Sequence, residues 1–204
     1  MFSHKGALPS GRILASMISH GKAFFYPSVS TFMIASFCED DQVPNQEFVC
    51  TFAGHRQVFE SKIEEKIRNA LESLVEMGGR LVFLNGGMGQ FDALCASAVR
   101  SLKKRHPEKE IQLCLVIPYL SDKINAEKSF LQAVYDEILM PEGLEYAHYK
   151  AAISKRNRWM VDQADCLVSY IIRQYGGAYQ TSRYAQRKSI PIINVAKGAP
   201  QCLK

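Results

Sequence analysis

From residue 47 onward, short apolar runs alternate with longer stretches in which apolar residues recur every three or four positions. The first pattern predicts buried strands and the second amphipathic helices. Residues 48–53 make the first run, ended by Gly54-His55-Arg56. Residues 60–77 follow at helical spacing, with Ile63, Ile67, Leu71, Leu74 and Val75 on one side and Gly78-Gly79 as the stop. A second run, 81–84, halts at a glycine cluster. Phe91, Leu94, Cys95, Ala98, Val99 and Leu102 then share one helical face as far as Pro107. Residues 111–117 predict a third strand, and 126–140 a helix with Phe130, Leu131, Val134 and Ile138 inward. Residues 144–149 read as a weak fourth strand. A helix over 154–164 carries Arg156 near its start. Residues 166–172 form a fifth strand, 181–188 a short basic helix and 191–195 the last strand.

Strands that are short, apolar on both faces and separated by helices belong in a parallel sheet covered on both sides. The expected class is therefore α/β: a Rossmann-like, doubly wound, mainly parallel sheet of about six strands with helices on both faces. In such sheets ligands sit beyond the carboxyl ends of the strands. The loops after the first, second and fifth strands converge there. Residues 1–46 show no sustained period, and Gly, Ser, Pro and His are frequent. They read as a poorly ordered extension, with Met33 an alternative start, ahead of a nucleotide-binding domain over 47–204. Residues 23–38 are rather apolar but interrupted by Pro27 and too few to span a bilayer. No membrane association is expected.

Composition adjusts this picture in two places. Six cysteines stand at 38, 50, 95, 114, 166 and 202, without a Cys-x-x-Cys pair. Four of them fall in apolar segments, where a thiol behaves as a small hydrophobe. No metal site is expected, and a reducing cytoplasm is the natural compartment. The charge is uneven. Ten Lys or Arg against two Asp give the chain from Lys150 onward a net +8, while residues 1–149 carry −3 from fifteen basic and eighteen acidic residues. Beyond Asp165 there is no carboxylate side chain. Such a field favours phosphate, on a small ligand or along nucleic acid.

The chemistry-bearing segments lie in the loops. Asn85-Gly86-Gly87-Met88-Gly89 places three glycines where a helix begins. Glycine there permits positive φ and close backbone approach, so that free amides and the helix dipole favour an anion. Gly176-Gly177 repeats the theme after the fifth strand. Arg56 can clamp phosphate bidentately, with His55 beside it. Asp92, in the opening turn of its helix, suits either a ribose hydroxyl or the role of a base. Its charge also complements the dipole.

Together, Gly54-His55-Arg56, Gly86-Gly87-Met88-Gly89-Gln90-Phe91-Asp92, Arg156-Asn157-Arg158-Trp159-Met160-Val161-Asp162 with Ala164-Asp165, and Gly176-Gly177 followed by Tyr184-Ala185 resemble the YpsA-like branch of the SLOG superfamily. That superfamily also holds the LOG/lysine-decarboxylase-like enzymes and the DNA-processing protein DprA. The resemblance spans roughly residues 48–197. It implies a Rossmann-like fold and a nucleotide-type ligand. Arg156 and Met160 match the Arg and Met of a LOG motif whose enzymes release a base from a nucleoside monophosphate, using that Arg and a Glu. The Glu is replaced here by Arg183 or Tyr184, depending on the alignment.

The leading expectation is therefore a sensor or regulatory domain for a nucleotide or nucleotide-derived ligand, with no cofactor. Its binding residues are Gly54, His55, Arg56, Asn85, Gly86, Gly87, Gly89, Asp92, Arg156, Gly176 and Gly177. A second reading is an N-glycosidase or phosphoribohydrolase in which Asp92 and Arg156 are catalytic. A third is a DprA-like binder of single-stranded nucleic acid. A homo-oligomer is compatible with all three.

Overall fold

A computed structural model describes residues 46–197, so the expected extension lies outside the described residues save for Gln46. The strands are β1 (Glu47–Gly54), β2 (Arg80–Asn85), β3 (Glu110–Val116), β4 (Glu137–Leu139), β5 (Cys166–Tyr170) and β6 (Ile192–Asn194). The helices are α1 (Ile63–Glu72), α2 (Gln90–Arg105), α3 (Asp122–Ala126), α4 (Lys128–Val134), α5 (Tyr149–Gln163) and α6 (Gly177–Arg187). All strand pairs are parallel, in the order β4-β3-β2-β1-β5-β6.

Alternate residues of each strand feed opposite layers, as the pleat requires. On one face Cys50, Phe52, Leu81, Phe83, Leu113 and Val168 pack on α1 and α2 through Ile67, Leu71, Phe91, Cys95 and Val99. On the other face Val49, Val82, Leu84 and Val116 meet Met160 of α5. Ala53 and Leu167 meet Val161 of α5 and Ala185 of α6. The expected doubly wound sheet with helices on both faces is the observed one. Among the described residues no helix is long and apolar enough to cross a membrane.

One expectation is overturned. The helix foreseen over 126–140 stops at Val134, and the fourth strand is Glu137–Leu139, not residues 144–149. Asp136 sets the break. Its Oδ2 accepts the N–H of Leu113 at 2.7 Å, its own N–H donates to the Leu113 carbonyl at 2.9 Å, and Lys103 Nζ donates to its Oδ1 at 2.6 Å. Those contacts pull the chain onto β3 and end the helix. Phe130, expected to face inward, is 65% exposed. Residues 144–149 instead turn into the start of α5.

Candidate functional site

β2, β3 and β4 lie on one side of β1, and β5 and β6 on the other. The direction of winding therefore reverses at β1 and β5, and loops leaving the two strands part to leave a crevice. A cleft of about 300 Å³ occupies it. Its wall is built from Gly54, His55 and Arg56 at the end of β1, Gly86, Met88 and Asp92 after β2, Arg156 and Asn157 of α5, and Gly176, Gly177 and Thr181 at α6. Three of the expected residues do not line it: Asn85, Gly87 and Gly89.

The first glycine loop is braced from within. Asn85, fully buried, donates through Nδ2 to the Asp92 carbonyl at 2.8 Å and accepts the Gly87 N–H at 2.7 Å. Asp92 Oδ2 accepts the Met88 N–H at 2.8 Å, and the Gln90 N–H donates to the Arg56 carbonyl at 2.9 Å. The amides of Gly87, Met88 and Gln90 thus already have protein acceptors. Asp92 is itself the anion seated in this loop.

Arg156 comes up beneath it, 2% exposed. Its Nη1 donates at 2.7 Å to the carbonyls of both Gly86 and Val116, tying the β2 loop to the end of β3. Its Nη2 approaches Met88 Sδ at 3.4 Å, while Nε is buried without a partner. Burial lowers the Arg156 pKa, against the opposing field of Asp92. Burial likewise pushes the Asp92 carboxyl up to about 6, although the Met88 amide and the Arg156 charge pull it down. A cleft carboxyl poised near neutrality is a common mark of a functional site. It is also the one carboxylate among the described residues of the wall.

The second loop is open. Gly176 caps α6 at φ 89°, ψ 174°, close to the φ 111°, ψ 176° of Gly89 at the start of α2. Both helices thus begin from a backbone region that is essentially glycine's alone. At α6, however, the amides of Gly176, Gly177, Ala178 and Tyr179 donate to no acceptor among the described residues. Gly176 and Gly177 are exposed. Three of these residues, Gly176, Gly177 and Ala178, line the cleft at the positive end of an 11-residue helix.

His55 and Arg56 border this opening differently. His55 Nε2 accepts the Arg173 N–H at 3.2 Å, and burial together with the Arg173 charge lowers its pKa. At neutral pH it is an uncharged acceptor that ties the β1 loop to the β5 loop. The Arg56 side chain is exposed. Gly54 is glycine for space, since a β-carbon there would run into the Phe91 ring. Two wall residues outside the expected set, Asn157 and Thr181, are paired: Asn157 Nδ2 donates to Thr181 Oγ1 at 3.2 Å, and that hydroxyl donates to the Gly177 carbonyl at 2.9 Å. Asn157 sits beside Arg156 in sequence, yet only the apposition of α5 and α6 reveals the pair. The thiols of Cys50, Cys95 and Cys114 contribute no nucleophile, because burial raises the pKa of Cys50 and Cys95 well above the usual range and that of Cys114 to about 12.

No protein-family model and no curated protein matches the sequence. Solved structures do match. DNA processing protein A from Helicobacter pylori, described for its single-stranded DNA binding, superimposes with a TM-score of 0.52 at 19% identity, over 71% of this chain and 63% of that one. The chain shares its fold with DNA processing protein A. The Streptococcus pneumoniae DprA gives 0.50 at 12% identity, over 71% of this chain and 49% of that one. This chain thus spans 63% of the first DprA and about half of the second. A molybdenum cofactor binding protein from Rippkaea orientalis gives 0.46 at 17% identity, over 73% of this chain and 76% of that one.

Proposed function

We propose that the chain is a sensor or regulatory domain of the YpsA-like type that takes a nucleotide or nucleotide-derived ligand in the cleft over β1 and β5. One observation carries this reading: three residues with unengaged amides at the start of α6, Gly176, Gly177 and Ala178, line that cleft. Phosphate at such a terminus gains both directed donors and the dipole. The exposed Arg56 supplies a matching charge across the opening. The first glycine loop has a different part, since its Gly87 and Met88 amides are held by Asn85 and Asp92. The ligand's phosphate therefore goes to the second loop, and the Asp92 carboxylate faces the sugar, where it accepts from a hydroxyl.

Hydrolysis of a glycosidic bond has less support. That step needs a group to activate water or stabilise a developing oxocarbenium ion. Tyr184 donates to both carboxylate oxygens of Asp162, at 2.9 and 3.0 Å, and Arg183 carries the wrong charge. Asp92 is the remaining candidate.

The test is native mass spectrometry for a retained nucleotide, then calorimetry with AMP, GMP, CMP and UMP for wild type and Gly177→Asp. Open space surrounds Gly177, so the aspartate fits. Its charge suits a helix start while opposing phosphate. Binding by wild type and none by the variant, at an unchanged melting temperature, is the expected result. Equal binding by both, or none by wild type, overturns the reading.

The +8 charge from Lys150 onward, together with the DprA fold, favours single-stranded nucleic acid as the second reading. Salt separates the two. Contact with several phosphates makes log K fall steeply with log salt, whereas a mononucleotide responds mildly.

A further inference from the structure

A second cleft, of about 640 Å³, runs between α5 and α6. It joins the first through four shared residues, Ile153, Asn157, Gly177 and Thr181. The Asn157–Thr181 hydrogen bond described above forms the saddle between them. Beyond the saddle the wall carries Arg158, Arg183 and Arg187 and, among the described residues, no carboxylate.

These arginines are arranged at some expense to the helix. Arg183 and Arg187 stand one turn apart on α6, where like charges repel. None of the three makes an ion pair among the described residues. The nearby Asp162 is engaged instead by Lys188, at 2.9 Å, and by Tyr184. Arg158 and Arg187 both lie against the Tyr184 ring, at 5.7 and 5.8 Å from its centroid, which fixes where their charges stand. Concentrated, oriented and uncompensated positive charge in a concave wall is a receptor for anions. The remaining lining is mixed, with Ser154 and Gln180 polar and Ile153 and Tyr179 offering apolar surface.

We infer that the ligand carries two or more phosphates and lies across both clefts, one phosphate on the α6 amides and the next past Thr181 on Arg158, Arg183 and Arg187. This rests on the nucleotide reading above and narrows it to nucleoside polyphosphates or nucleotides joined through a phosphoanhydride. A volume in the range of ordinary small-ligand sites favours such a molecule over a passing strand.

The test is calorimetry on the full chain at fixed ionic strength with AMP, ADP, ATP and a dT oligonucleotide, for wild type and Arg183→Gln/Arg187→Gln. Both side chains are exposed on α6, so the double variant should fold. Wild type should bind ADP or ATP at least about tenfold more tightly than AMP, the gain expected of an added charge-assisted contact. The double variant should lose that gain and keep the AMP affinity. Equal affinity of wild type for AMP and ATP overturns this inference and leaves the nucleotide reading standing. So does a preference for ATP that survives in the double variant. Binding of the oligonucleotide alone overturns both.

Discussion

Gly86 and Arg156 meet so closely that a β-carbon on Gly86 would lie 2.5 Å from the Arg156 Nη1 and 3.1 Å from both its Cζ and the Asp92 Oδ2. The glycine is thus the space into which a buried cation and a buried carboxyl both reach. Gly86→Ala should cost about 1–3 kcal/mol, as overpacking does, because Arg156 is anchored on two carbonyls and has little freedom to retreat. Denaturant unfolding measures this. A variant as stable as wild type would mean that Arg156 moves without penalty.

Asp92 should make stability depend on pH. Its carboxyl titrates near 6 when folded, against 3.8 as the ordinary value, so the folded state holds the proton more tightly. The stabilisation this gives is complete below about pH 4 and is lost as pH rises from about 4 to about 6. The loss at neutral pH is on the order of 3 kcal/mol. Asp92→Asn keeps an acceptor for the Met88 amide and should flatten that slope. It should also raise the melting temperature at pH 7.5. An unchanged slope would show that another group titrates.

The two cap glycines offer a matched comparison. At Gly176 an added β-carbon meets nothing within 4 Å, whereas at Gly89 it would lie 2.8 Å from the Arg56 α-carbon. Gly176→Ala should therefore cost only the conformational strain, about 1–3 kcal/mol. Gly89→Ala should cost clearly more, since it also drives the β1 loop away from α2. Thermal unfolding of the two variants side by side decides the order. Reversal of that order would show that the β1 loop yields easily.

Turnover of nucleoside monophosphates should be absent or very slow, and any residue of it should vanish in Asp92→Asn. Release of free base from AMP, GMP, CMP and UMP, followed by chromatography, is the assay. Rates of about 1–10³ per second, usual for enzymes, would replace the sensor reading with the hydrolase. Turnover surviving Asp92→Asn would move the chemistry elsewhere in the cleft.

Much of the fold was legible because local and global demands agree. The apolar runs at β1, β2, β3 and β5 are buried on both faces and need no partner information to be recognised. β4 was not legible. Ile138 fits a helical period begun at residue 126, and what ends the helix is Asp136 bonding to Leu113, a contact across 23 positions. The site divides in the same way. Glycines and Arg156 stand out in the sequence, and eight of the foreseen residues do line the cleft. Which amides remain free does not stand out. It depends on Asn85 and Asp92 turning back on their own loop, and on Asn157 meeting Thr181 across two helices.

The crevice over β1 and β5 is closed by segments far apart along the chain. The Arg173 amide reaches His55 across 118 positions, and Asp165 Oδ2 holds the Val49 amide across 116. Ordering a loop of that length before any contact rewards it is slow. Docking of β5 beside β1 should therefore be among the last events of folding, and a half-made chain on the ribosome has no binding site. Any ligand of this cleft then acts only on finished molecules. By mass action it protects them from unfolding in proportion to its concentration over its dissociation constant. Cellular abundance of the protein would then track the supply of its ligand.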